Sequence, residues 1–105
     1  METNPLSNYY EAVIQIRNTN EEVTNCIFNA IKRHQKKEKG MFITKEVYYK
    51  DGFDLYLSSQ KFAHNLGKIL KKSFKGKLVE SRRLHSRDRH KSKDIYRRTV
   101  LFRVD

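Results

Sequence analysis

The sequence predicts an α+β fold: two helices packed on one face of a mainly antiparallel sheet, in the order β-α-β-β-α-β-β. Three observations lead there. Apolar residues alternate with a period of two in five segments, they recur at helical spacing in two others, and Gly, Asn and Ser punctuate the joins. The 105 residues suffice for one domain, and a 37% hydrophobic content with six Tyr and six Phe supports a thin core rather than a disordered chain. Residues 1–8 read as a flexible leader and residues 9–105 as the single domain.

Tyr9 to Arg17 (YYEAVIQIR) places Tyr10, Ala12, Ile14 and Ile16 on one face, as in a strand with one buried side. Asn18 or Asn20 offers a helix cap, and Glu21 and Glu22 suit the positive end of the helix dipole. Val23, Cys26, Ile27, Ala30, Ile31 and His34 then keep helical spacing up to the basic residues before Gly40. Met41 to Tyr49, rich in β-branched and aromatic residues, pairs with Phe53 to Leu57. Lys50-Asp51-Gly52 turns between them, with Gly expected to supply the positive φ of a hairpin turn.

Ser58 and Ser59 cap a second helix, in which Phe62, Ala63, Leu66, Ile69, Leu70 and Phe74 form an apolar stripe that Gly76 ends. Its other face carries Lys61, His64, Lys68, Lys71, Lys72 and Lys75. Leu78 to Leu84 and Ile95 to Val104 are the last two strands, joined by a loop from His85 to Asp94. Tyr96, Val100, Phe102 and Val104 share one face of the final strand, Arg97 and Arg103 the other, and Arg98 falls on the apolar face near its open end.

Charge carries the functional signal. The net charge is +11, and residues 61–98 alone hold 14 basic and 3 acidic side chains, so the remainder of the chain is neutral. A solubilising surface would mix signs more evenly, and a one-sided cationic stretch predicts a polyanionic partner. The residues expected to meet nucleic acid are Lys68, Lys71, Lys72 and Lys75 on the helix, with Arg82, Arg83, Arg87, Arg89, Lys91, Lys93, Arg97 and Arg98 on the hairpin. Helix and hairpin side by side would make one patch. Arginine takes phosphate bidentately and also stacks on an unpaired base. Tyr96 reads chiefly as core packing, with base stacking as its functional alternative.

Other chemistries find no footing. Asp51 and Asp54 read as a turn residue and an exposed strand residue rather than an acid/base pair. His85 and His90 lack thiolate or carboxylate partners for zinc, and the single cysteine, Cys26, has no partner for a disulfide and sits on the apolar stripe of the first helix. No catalytic motif, cofactor motif, signal peptide or membrane-length apolar run is present. The expectation is a non-enzymatic cytoplasmic protein with no cofactor, no bound metal, no membrane and no small-molecule substrate. Neither the Gly-x-x-Gly loop of a KH domain nor the aromatic signature of an RRM occurs.

Three stretches narrow this further: YYEAVIQIR at 9–17, DGFDLYLSSQKFAHNL at 51–66, and Glu80-Ser81-Arg82-Arg83-Leu84 through Arg87-Asp88 to Tyr96-Arg97-Arg98-Thr99-Val100. In this order and spacing they resemble the central domain of the Nmd-three family, the large-ribosomal-subunit export adaptor of eukaryotes and its archaeal counterparts. The telling phrase is Asp-Gly-x-Asp-x-Tyr-x-Ser-Ser followed by Ser-Arg-x-Leu-x-x-x-Asp, matched at Ser58, Ser59, Ser81, Arg82, Leu84 and Asp88. The resemblance implies a factor that binds the large subunit late in its assembly, near the tRNA sites of the joining face, in an archaeal-type cytoplasm. Its partners would be large-subunit ribosomal RNA and other ribosome-assembly factors. Family members carry Cys-x-x-Cys zinc modules before this domain and a β-rich domain after it, neither of which lies within these residues. The alternative reading is a protein-interaction module that joins separately encoded parts of an assembly factor through its sheet edges.

Overall fold

Among the described residues, seven elements follow in the expected order: β1 (Ala12–Arg17), α1 (Glu21–Lys37), β2 (Ile43–Tyr49), β3 (Gly52–Leu57), α2 (Gln60–Ser73), β4 (Gly76–Asp88) and β5 (Lys93–Val104). The computed structural model describes residues 10–37, 43–88 and 93–105, with side chains for 10–37, 43–83 and 96–105. Arg89, Lys91 and the leader 1–8 lie outside the described residues. The strands form one sheet in the order β2-β3-β1-β5-β4, in which β1 and β5 run parallel and the other neighbours antiparallel.

Both helices cover one face of that sheet. Ala12, Ile14 and Ile16 of β1, Leu55 and Leu57 of β3, and Val100 and Phe102 of β5 meet Val23, Ile27 and Ile31 of α1 and Leu66 and Leu70 of α2 in a single buried cluster. The caps form as local chemistry dictates. Asn20 Oδ1 accepts the Val23 N–H at 2.9 Å, and Ser59 Oγ accepts the Phe62 N–H at 3.1 Å. Asn18 instead takes a positive φ of 56° and donates its side-chain amide to the Val104 carbonyl oxygen at 2.9 Å, tying the β1–α1 join to the end of β5. Gly67 lets α2 settle close to the sheet, since a Cβ there would lie 2.9 Å from Val100 Cγ1 and 3.2 Å from Leu78 Cδ1.

Several sequence expectations change. Gly52 turns the chain without a positive φ; it is glycine because a Cβ would collide with the Ile16 carbonyl oxygen of β1, where β3 passes close. Ile69 is 43% exposed, because it lies beside the Phe62–Leu66–Leu70 row that the sheet covers. Helix α2 stops at Ser73, three residues short of Gly76, which opens β4 instead. Asp54, expected on the surface, is buried at 4% exposure.

The β4–β5 ladder departs most from expectation. It runs from Gly76↔Val104 to Asp88↔Lys93, through much of the stretch read as a loop, with an irregularity between Leu84 and Ser86. The neighbouring strand β1 begins at Ala12, opposite Arg98. Five paired steps therefore continue beyond the sheet as a two-stranded arm, from Arg83↔Arg97 to Asp88↔Lys93. At the usual rise this is about 17 Å of arm. It matches the elongated outline of 43 × 26 × 26 Å.

Candidate nucleic-acid interface

Helix α2 buries Phe62, Ala63, Leu66 and Leu70 and turns Lys61, Lys68, Lys71 and Lys72 to the outside, all exposed; Lys75, expected on the same helix, is exposed in the join to β4 instead, because the helix ends at Ser73 and Phe74 is extended. Lys71 Nζ donates to the Gly76 carbonyl oxygen at 3.0 Å, where a cation suits the negative end of the helix. Lys68 and Lys72, at i and i+4, share one ridge of the helix.

The hairpin arginines do not all join that ridge. Alternation along the ladder divides them between the two faces of the sheet. Arg82 and Arg98, opposite each other, lie on the helix side with Tyr96; Arg83 and Arg97, the next pair, lie on the uncovered side. The expected single patch is therefore two surfaces that meet along the edge strand β4. On the helix side, Arg82 stands over the Tyr96 ring at 4.9 Å, and Tyr96 is half-buried beneath it, outside the core cluster. Arg98 is tied inward. Its Nη1 lies 3.1 Å from His64 Nδ1 and 3.8 Å from Glu80 Oε2, while Glu80 Oε1 sits 2.9 Å from the same His64 nitrogen. One ring nitrogen serves only one of these partners at a time. Arg87 pairs in register with Asp94, and Lys93 with Asp88.

The uncovered face holds a groove of about 550 Å³, lined among others by Tyr10, Val13, Tyr56, Arg83, Arg97 and Thr99. Sequence reading missed this feature. Tyr10 was placed on the buried side of β1 by its alternation, but the strand proper begins at Ala12 and the Tyr10 ring instead meets Tyr56 edge to face at 4.9 Å. Tyr56 alternates with the buried Leu55 and Leu57, and that alternation was the available signal.

At the far end of the same face, Arg17 Nη1 donates to Asp54 Oδ1 at 2.7 Å and the Tyr49 hydroxyl donates to Asp54 Oδ2 at 3.0 Å. The hydrogen bond to Asp54 raises the Arg17 pKa above its ordinary value, and the matching bond raises that of Tyr49. On edge strand β2, the Tyr48 hydroxyl donates to Glu46 Oε1 at 2.6 Å; this bond, with burial adding to it, pushes the phenol up to about 12. Among the described residues, no group of three or more His, Cys, Asp or Glu is arranged to hold a metal ion, and no helix is long and apolar enough to cross a membrane.

The family model for NMD3, second domain, matches residues 9–104, nearly the whole chain. The chain belongs to the NMD3 family, as its second domain. None of the curated proteins compared matches the chain.

In this NMD3 second domain the residues of the resembling phrase have identifiable physical roles. Gly52 admits the β1 backbone, Asp54 holds Arg17 and Tyr49, Tyr56 meets Tyr10 edge to face in the groove, and Ser59 caps α2. The second phrase places Arg82 over Tyr96 and Ser81 beside the groove. The first phrase thus builds the scaffold, and the second shapes the surface that the charge asymmetry points to.

Proposed function

We propose that the domain is a non-enzymatic RNA-binding module that docks on large-subunit ribosomal RNA during subunit maturation or export-adaptor-like work. The observation that carries this reading is the one-sided charge. The exposed Lys68 and Lys72 of α2, Lys75 just after it, and Arg82 and Arg83 where the β4–β5 arm leaves the sheet belong to the stretch that holds all of the net charge. Lysines spaced along a helix neutralise a phosphate backbone without a sequence code, and this term is the main source of RNA affinity for a surface of this kind. Membership of the NMD3 family supports the ribosomal setting.

The test is fluorescence anisotropy with fragments of large-subunit rRNA across a salt series. A steep fall in affinity with salt is the expected result. Affinity that barely changes between low and physiological salt would overturn the reading. A second reading, a module that joins other parts of a ribosome-assembly factor, is favoured by edge strand β2, where Tyr48 and Tyr49 are 61% and 50% exposed. Binding to such a protein partner without binding to RNA would select it.

A further inference from the structure

Phosphate neutralisation makes no use of the stacked groups on the uncovered face. Lys45 of β2, Tyr56 of β3, Tyr10 ahead of β1 and Arg97 of β5 form a ladder across the sheet. The Lys45 ammonium lies 5.4 Å from the Tyr56 ring centre, Tyr56 meets Tyr10 at 85°, and the Arg97 guanidinium lies 3.8 Å from the Tyr10 ring centre. Arg97 Nε also donates to the Tyr10 carbonyl oxygen at 3.0 Å, so the guanidinium is held in place before any ligand arrives.

A planar cation stacked on a ring offers its other side to a second flat π system. Beside it, the groove supplies what such a guest requires. Val13 is apolar floor; Ser81, Thr99 and Gln15 offer hydrogen bonds; Arg83, opposite Arg97 in register, offers charge for a phosphate. Asp54, further along this face, is already held by Arg17 and Tyr49, and the described residues lining the groove include two arginines and no carboxylate, so the groove presents cations. The volume falls within the range of clefts that take small ligands, roughly 300–1,000 Å³. Bases in an RNA duplex stay stacked on one another and cannot enter, whereas an unpaired base can.

We propose that this groove takes an unpaired RNA nucleotide, its base stacked on the Arg97–Tyr10 pair and its phosphate met by Arg83, while the α2 ridge holds paired RNA. The inference rests on the RNA-binding reading above and assigns it a division of labour. The experiment compares a labelled 12-nucleotide unstructured single strand with a blunt RNA duplex of the same length. Arg97→Lys keeps the charge and loses the planar platform. It is expected to weaken single-strand binding at least about 5-fold and to leave duplex binding within 2-fold. Photocrosslinking of the unaltered domain to a 4-thiouridine-substituted strand is expected to label peptides containing Tyr10, Tyr56 or Arg97. Equal losses for both RNAs, no loss for either, or crosslinks confined to α2 would overturn the groove assignment and leave the RNA-binding reading standing. No binding of either RNA by the unaltered domain would remove both.

Discussion

Replacing Lys68, Lys72 and Lys75 together by alanine removes the i, i+4 lysine pair of α2 and the exposed lysine that follows in the join to β4. The three side chains are exposed, the buried contacts of α2 lie on its other side, and alanine is the strongest helix former, so the fold is expected to survive intact. If the domain engages about five phosphates, three of them through these lysines, each contributes about 0.9 to the salt slope on a duplex. The log–log slope is then about −4.5 for the parent and about −1.8 for the variant. Between 50 and 200 mM salt the parent loses about 500-fold in affinity and the variant about 12-fold. The two lines therefore converge as salt rises. Anisotropy titrations of a labelled RNA duplex at five salt concentrations read this directly, with circular dichroism to verify the helix content. Parallel lines for the two proteins would refute the reasoning, because lysines that release no counterions do not touch the phosphates.

Other outcomes follow from the same structure. Arg82→Ala with Arg83→Ala weakens rRNA binding more than Lys36→Ala with Lys37→Ala, since the second pair sits in the last turn of α1, outside the basic stretch; equal losses in anisotropy would indicate diffuse attraction. Asp54→Ala leaves Arg17 and Tyr49 without their shared carboxylate and costs about 1–3 kcal/mol in urea unfolding, while rRNA binding is retained; an unchanged midpoint would contradict the pairing. Tyr48 titrates at about 12 in the folded state against about 10 unfolded, so its contribution to stability is full below pH 10 and is lost as pH rises through 12. Ultraviolet titration of Tyr48→Phe is expected to lack the highest tyrosinate step, and an unaltered titration curve would count against the Glu46 hydrogen bond.

The fold was legible where periodicity and capping agree. The alternation in β1 and β3 and the helical stripes of α1 and α2 are local patterns, and Asn20 and Ser59 mark helix starts as their side-chain chemistry requires. What stayed hidden depends on contacts between distant segments. Asp54 looked like a solvated strand residue until its partner Arg17, 37 positions away, was beside it. Gly52 suggested a positive φ, whereas its reason is the Ile16 carbonyl across the sheet. The charged stretch from His85 to Asp94 read as a loop because polar residues dominate it, yet the ladder continues into it from both sides.

The site was half legible for the same reason. A count of charges locates the cationic stretch, but strand alternation decides that Arg82 and Arg83 face opposite ways. The pairing of Arg97 with Tyr10, 87 residues apart, exists only once β5 lies beside the start of β1.

Co-sedimentation of the domain with large ribosomal subunits through a salt series, followed by crosslink mapping, tests the central claim most directly. The account predicts that the domain pellets with large subunits at low salt, is released as salt rises toward 200 mM, and crosslinks to rRNA through α2 and the β4–β5 arm. A domain that stays in the supernatant at low salt, or that crosslinks only to ribosomal proteins, would contradict it.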